Sequence, residues 1–238
     1  MRNFLSLCFC LSLFTTFAQN AEIRLTTGLM GSDLFTKISV ARFYENNTLT
    51  NYYALRQDFR VSPYIGIEKR SANGVRQSWG ILRASFNNST ADVVRSDSST
   101  GIFEPTSGEK RREISLALRW ALSKRVTAFS GQRFTTSLGF AVDPFFLYYR
   151  SVPSTSAGFP FTLTQLGVTG SFLTQFEYRI TSRLGVVLQA PITFSRLYGQ
   201  KASLENPLLT TQQQSNSLID GEVKVRTDQF LLGVSYKL

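Results

Sequence analysis

From Thr164 to Ile180 the chain alternates without a break. Leu166, Val168, Gly170, Phe172, Thr174, Phe176, Tyr178 and Ile180 fall on one parity, and Gln165, Gly167, Thr169, Ser171, Leu173, Gln175, Glu177 and Arg179 on the other. A period of two marks a β-strand with one oily face. The same rhythm recurs in Tyr53–Lys69, where Leu55, Phe59, Val61, Ile65 and Ile67 oppose Arg56, Asp58, Arg60, Ser62, Tyr64, Gly66 and Glu68. In Arg112–Leu122 the residues Ile114, Leu116, Leu118, Trp120 and Leu122 oppose Glu113, Ser115, Ala117, Arg119 and Ala121. Leu184, Val186, Leu188, Ala190, Ile192 and Phe194 form a further oily face, and so do Phe230, Leu232, Val234, Tyr236 and Leu238 at the end of the sequence. Val75–Phe86 is a further strand. Val126–Arg150 is another, with a bulge predicted near Asp143-Pro144, where the alternation slips. The first strand lies within Ile23–Tyr44, and its best alternation is Leu34, Thr36, Ile38 and Val40.

This reading predicts eight strands and two kinds of connection. Short turns fall at Ser71–Gly74, Ser123–Arg125 and Thr181–Arg183, the first carrying the Asn73-Gly74 pair that favours a tight hairpin. Longer polar loops are predicted at Glu45–Thr48, Asn87–Lys110, Ser151–Pro160 and Leu197–Gly221. Pro63, Pro144 and Pro191 cannot donate to a ladder and are expected at a bulge or near a rim.

The amino terminus changes the setting. Arg2, the apolar run Phe4–Phe14 and Thr16-Phe17-Ala18 read as a signal peptide, residues 1–18, which leaves residues 19–238 as one domain. Both cysteines, Cys8 and Cys10, lie in the leader, so the mature chain is expected to have neither disulfides nor thiolate chemistry. No later apolar run has the length of a membrane-spanning helix. The net charge of +10 comes from basic residues scattered through strands and loops. With an export signal present, that scatter points to anionic headgroups rather than to nucleic acid.

Together, the leader, the alternation, the loop asymmetry and the closing Phe-Leu-Leu-Gly-Val-Ser-Tyr-Lys-Leu of residues 230–238 resemble the small outer-membrane β-barrel family, of the eight-stranded OmpA- or OmpX-like, porin-family kind. The stretch Phe59–Ile67 followed by Trp79-Gly80-Ile81 is similar to the first hairpin of such barrels. The resemblance implies an all-β, closed antiparallel up-and-down transmembrane barrel with short periplasmic turns and long outer loops. It implies a Gram-negative outer-membrane location and contact with outer-membrane lipids including lipopolysaccharide. It further implies a monomer that binds no nucleic acid. Phe230, Leu232, Val234, Tyr236 and Leu238 would be the C-terminal signal read by the barrel-assembly machinery during insertion.

In such a barrel the oily faces meet lipid. Trp79, Trp120, Tyr148, Tyr149, Tyr178 and Tyr236 are candidates for the aromatic girdles. Arg56, Asp58, Arg60, Glu68, Arg119, Glu177 and Arg179 point into the lumen, where eight strands leave room only for side chains. They would form a structural network that makes the lumen solid, or alternatively line a narrow conduit or a small-ligand site. The sequence has no histidine. That removes the usual general base and the commonest metal ligand, so no catalytic, cofactor-binding or metal residue is assigned. Asp92, Asp97, Glu104 and Glu109 are read as solvating a loop rather than holding a cation. The expected role is a non-enzymatic envelope barrel. The alternatives are transport of small solutes or of a small apolar ligand, a lipid-modifying enzyme disfavoured by the missing histidine, and a soluble barrel with the two faces exchanged.

Overall fold

A computed structural model of the protein describes residues 21–32, 39–45, 48–54, 60–96, 103–129, 131–152, 159–207, 209–212, 214–226 and 229–238. Residues 1–18, read from the sequence as a leader, lie outside them. The strands are β1 (Glu22–Ser32), β2 (Ser39–Glu45), β3 (Thr48–Ala54), β4 (Arg60–Arg70), β5 (Val75–Ser96), β6 (Phe103–Val126), β7 (Phe134–Val152), β8 (Phe161–Arg179), β9 (Leu184–Leu204), β10 (Ser215–Arg226) and β11 (Gln229–Lys237).

Every pairing is antiparallel, and the order β11-β1-β4-β5-β6-β7-β8-β9 returns to β11. The wall is thus a closed eight-strand barrel. β10 pairs with the upper part of β9, above the stretch that β11 pairs with, so β10 and β11 share one stave. β2 and β3 form a separate hairpin.

The oily parity faces out. Leu116, Phe172, Leu188 and Val234 are 40 %, 48 %, 41 % and 42 % exposed, whereas Arg119 and Glu177 are 2 % and 0 % exposed. Among the described residues each of the eight strands pairs with a neighbour on both sides, the closure that strands meeting lipid require. On its exterior this is a membrane barrel. Trp120, Tyr178 and Tyr236 stand exposed on that outer surface, and Trp79 is half-buried. Tyr149 departs from the girdle expectation. It points inward and packs on the cluster Phe161, Leu163, Ala202 and Leu204.

Several boundaries differ from the sequence reading. The wall strand at the amino end is Glu22–Ser32, with Arg24, Thr26 and Met30 buried, whereas the predicted alternation at Leu34–Val40 falls largely outside the described residues. The second short turn lies after Val126, at residues 127–133, because Lys124 and Val126 still pair with Leu138 and Thr136. The loops predicted at Asn87–Lys110 and Leu197–Gly221 are mostly strand. β5 runs to Ser96 and β6 begins at Phe103, while β9 runs to Leu204 and β10 begins at Ser215. A ladder is made by backbone groups, so polar side chains report water around a strand and not the absence of one. The 24 residues of β6 reach about 80 Å at the usual rise per residue, well over twice the 9–11 residues a membrane strand needs.

Pro144 sits in an unbroken register, with Asp143 opposite Thr169 and Pro144 opposite Val168, so the predicted bulge is absent there. The apparent slip has another cause: Phe145 and Leu147 are apolar yet face inward. True irregularities occur at Ile81/Arg83 on β5 and at Gly170/Ser171 opposite β9. The second lies near Pro191. Beside Pro63, the β4–β5 pairing stops at Ile65, and the Ser62 hydroxyl donates instead to the Leu82 carbonyl at 2.8 Å.

Candidate functional site: a tied and plugged lumen

The interior is built in layers, beginning at the mouth with the short turns. Alternation brings Arg24 of β1, Arg70 of β4 and Arg76 of β5 inward beside Glu177 of β8, which stands across the barrel from β4. Glu177 accepts from Arg24 Nη1 at 3.1 Å, Arg70 Nη1 at 3.1 Å and Arg76 Nη1 at 2.9 Å, and Arg70 Nη2 lies 2.7 Å from its second oxygen. Glu68 takes the Arg70 Nε–H and accepts from Gln175 Nε2 at 3.1 Å, a second link between β4 and β8. At the rim Glu22 pairs with Arg24 and with Lys237 Nζ at 3.1 Å.

A second tie lies further in. Arg119 of β6 forks onto Asp143 of β7, with Nε to Oδ1 at 2.8 Å and Nη2 to Oδ2 at 2.7 Å. Its Nη2 also reaches Gln229 of β11, directly across the barrel, at 2.7 Å. Both side chains of the Arg119–Asp143 pair are fully buried. Removing one partner of such a pair strands a charge, which is why the geometry must be complete.

Beside this tie lies an apolar cluster: Met30, Tyr64, Leu82, Phe145 and Leu231 are buried together inside the wall. Tyr64 lies flat over β4 and β5. A Cβ on Gly66 or Gly80 would come within 2.3 Å and 2.5 Å of its hydroxyl oxygen, so both positions need glycine. Arg196 caps this cluster, 4.7 Å above the Phe145 ring and 5.3 Å from the Tyr198 ring. Higher still is the Phe161–Leu204 cluster.

Of the residues predicted to face the lumen, Glu68, Arg119 and Glu177 are buried in these ties, and Arg179 lines the short-turn mouth. Arg56 and Asp58 lie outside the described residues, as does the side chain of Arg60. Phe230, Leu232, Val234, Tyr236 and Leu238 all lie on the outer face. Sequence reasoning passed over Arg24, Arg70, Arg76, Asp143 and the apolar plug. Asp143 shares the parity of Ala141 and Phe145, and an acidic residue flanked by outward Phe140 and Val142 was the available signal.

No group of three potential metal ligands occurs among the described residues. Asp97 and the side chains of Asp92, Glu104 and Glu109 lie outside them.

Neither a family model nor a curated relative matches the chain. Among solved structures it is similar to a major outer membrane protein from Thermus thermophilus, at a TM-score of 0.47 and 11 % identity over 92 % of this chain and 100 % of that one. It is also similar to the outer membrane protease OmpT from Escherichia coli, at 0.39 and 10 % over 92 % and 96 %. A third is the translocator domain of the autotransporter NalP from Neisseria meningitidis, at 0.27 and 9 % over 100 % and 96 %.

Proposed function

We propose that the protein is a non-enzymatic, monomeric integral barrel of the Gram-negative outer membrane, serving envelope structure or surface interaction. The observation that supports this most is the filled lumen: the trans-barrel hydrogen bonds Arg119–Gln229 and Gln175–Glu68 stand beside the buried apolar cluster of Met30, Tyr64, Leu82, Phe145 and Leu231. A solid interior favours a structural wall over a solute conduit. The long polar hairpins β5–β6 and β9–β10 extend past the apolar belt and supply the surface that outer partners would meet. Lipids, including lipopolysaccharide, would wet the belt. The oily strand Phe230–Leu238 would be read by the assembly machinery, and residues 1–18 would direct export.

Reconstitution in planar bilayers tests the reading: the account expects an electrically silent protein, and a stable unit conductance would overturn it. Incubation with labelled lipopolysaccharide and phospholipid tests the non-enzymatic part, with unchanged lipid expected. A time-dependent cleavage or acylation product would refute it.

A further inference from the structure

The short-turn mouth holds more positive charge than the ties use. A cavity of about 250 Å³ opens there, lined by Glu22, Arg24, Arg70, Arg76, Arg125 and Arg179 together with the Ser71–Gly74 turn. Arg24, Arg70 and Arg76 already donate to Glu177, and Arg24 and Arg70 also pair with Glu22 and Glu68. Arg125 and Arg179 have no carboxylate partner among the described residues, and the Nε of each is buried without a hydrogen-bond acceptor. Five guanidinium groups therefore line a mouth whose three carboxylates, Glu22, Glu68 and Glu177, pair with only three of them.

We propose that this mouth binds a multiply charged phosphate-type oxyanion, gripped by Arg125 and Arg179 over a floor of Arg24, Arg70 and Arg76. Those side chains come from β6, β8, β1, β4 and β5, so donors approach from several sides. A planar carboxylate presents oxygens in one plane. A tetrahedral phosphate presents them in all directions and matches guanidinium forks. An anion would also relieve the repulsion between cations that lack partners. The source is either a free phosphate or diphosphate, or the phosphate of a lipid headgroup reaching round the rim.

Calorimetric titration of the micelle-folded protein with sodium pyrophosphate, at constant ionic strength against chloride, tests the site. Saturable binding is expected, weakened at least tenfold by Arg125→Gln with Arg179→Gln, two changes that leave the Glu177 and Glu68 ties intact. Heat-dependent gel mobility shows whether the double variant folds. If it does not, the Arg179→Gln single variant takes its place, and pyrophosphate must raise the unfolding temperature of the unaltered protein and less so that of the variant. Absence of saturable binding and of any thermal shift, or undiminished binding in the folded variant, overturns the proposal. Repeating the titration in phosphatidylcholine vesicles that carry either phosphatidic acid or an equal surface charge of phosphatidylglycerol separates the sources. Equal affinity in the two assigns the site to a soluble anion, and lower affinity with phosphatidic acid, whose phosphate monoester competes, assigns it to a headgroup.

Discussion

One buried carboxylate, Glu177, joins β8 to β1, β4 and β5. Glu177→Gln leaves three arginines short of their counter-charge. Breaking a buried pair in this way costs about 3–5 kcal/mol. Urea unfolding of the vesicle-reconstituted protein is expected to show that loss, and an unchanged midpoint would mean the tie contributes nothing. Gly80→Ala is the matching change in the plug. The new Cβ would meet the Tyr64 hydroxyl oxygen at 2.5 Å and its ring carbons at 2.6 Å and force the ring off β5, an overpacking cost of about 1–3 kcal/mol in the same assay. Gln77→Ala, on the same strand, serves as the control. At this scale parity alone was informative: Glu68, Arg119 and Glu177 are inward as their neighbours' alternation required. Leu82 and Phe145 were not legible. Leu82 turns inward at an irregularity that no residue type announces, and Phe145 is an apolar side chain on a face expected to be polar. Sequence hydrophobicity cannot tell lipid from a plug, since both are dry.

The strands were legible where one face meets lipid and the other meets charge. They were not where the sequence loses its apolar alternation, and β5 beyond Phe86 and β6 before Arg112 were therefore read as loop. Two consequences belong to the elements. Excising residues 92–108 and joining the paired Ala91 and Glu109 through Asn-Gly is expected to leave the heat-modifiable gel mobility intact, since the trans-barrel ties lie elsewhere. Loss of the folded band would place part of the barrel's stability in that hairpin. Leu118→Arg puts a charge on the outer face of β6 and is expected to cost about 2–4 kcal/mol if the residue lies at the bilayer midplane. The same change at Asn88, higher on β5, is expected to be near neutral, and equal costs at the two positions would contradict the depth assigned to them.

For the whole molecule, one partition organises everything else. The apolar surface is outside, and the inside holds tied charges and a buried apolar cluster. The cysteines lie only at positions 8 and 10, which lets single cysteines be introduced into the remainder without background. Nitroxide labels at Phe172, Leu188 and Val234, and at Ser171, Gln175 and Ser235, in vesicle-reconstituted protein measure that partition directly. The first three are expected to collide readily with dissolved oxygen and poorly with a water-soluble nickel chelate, as sites in lipid do. The second three are expected to be shielded from both. Oxygen access at Ser171, Gln175 and Ser235 together with nickel access at Phe172, Leu188 and Val234 would reverse the two faces and contradict the account.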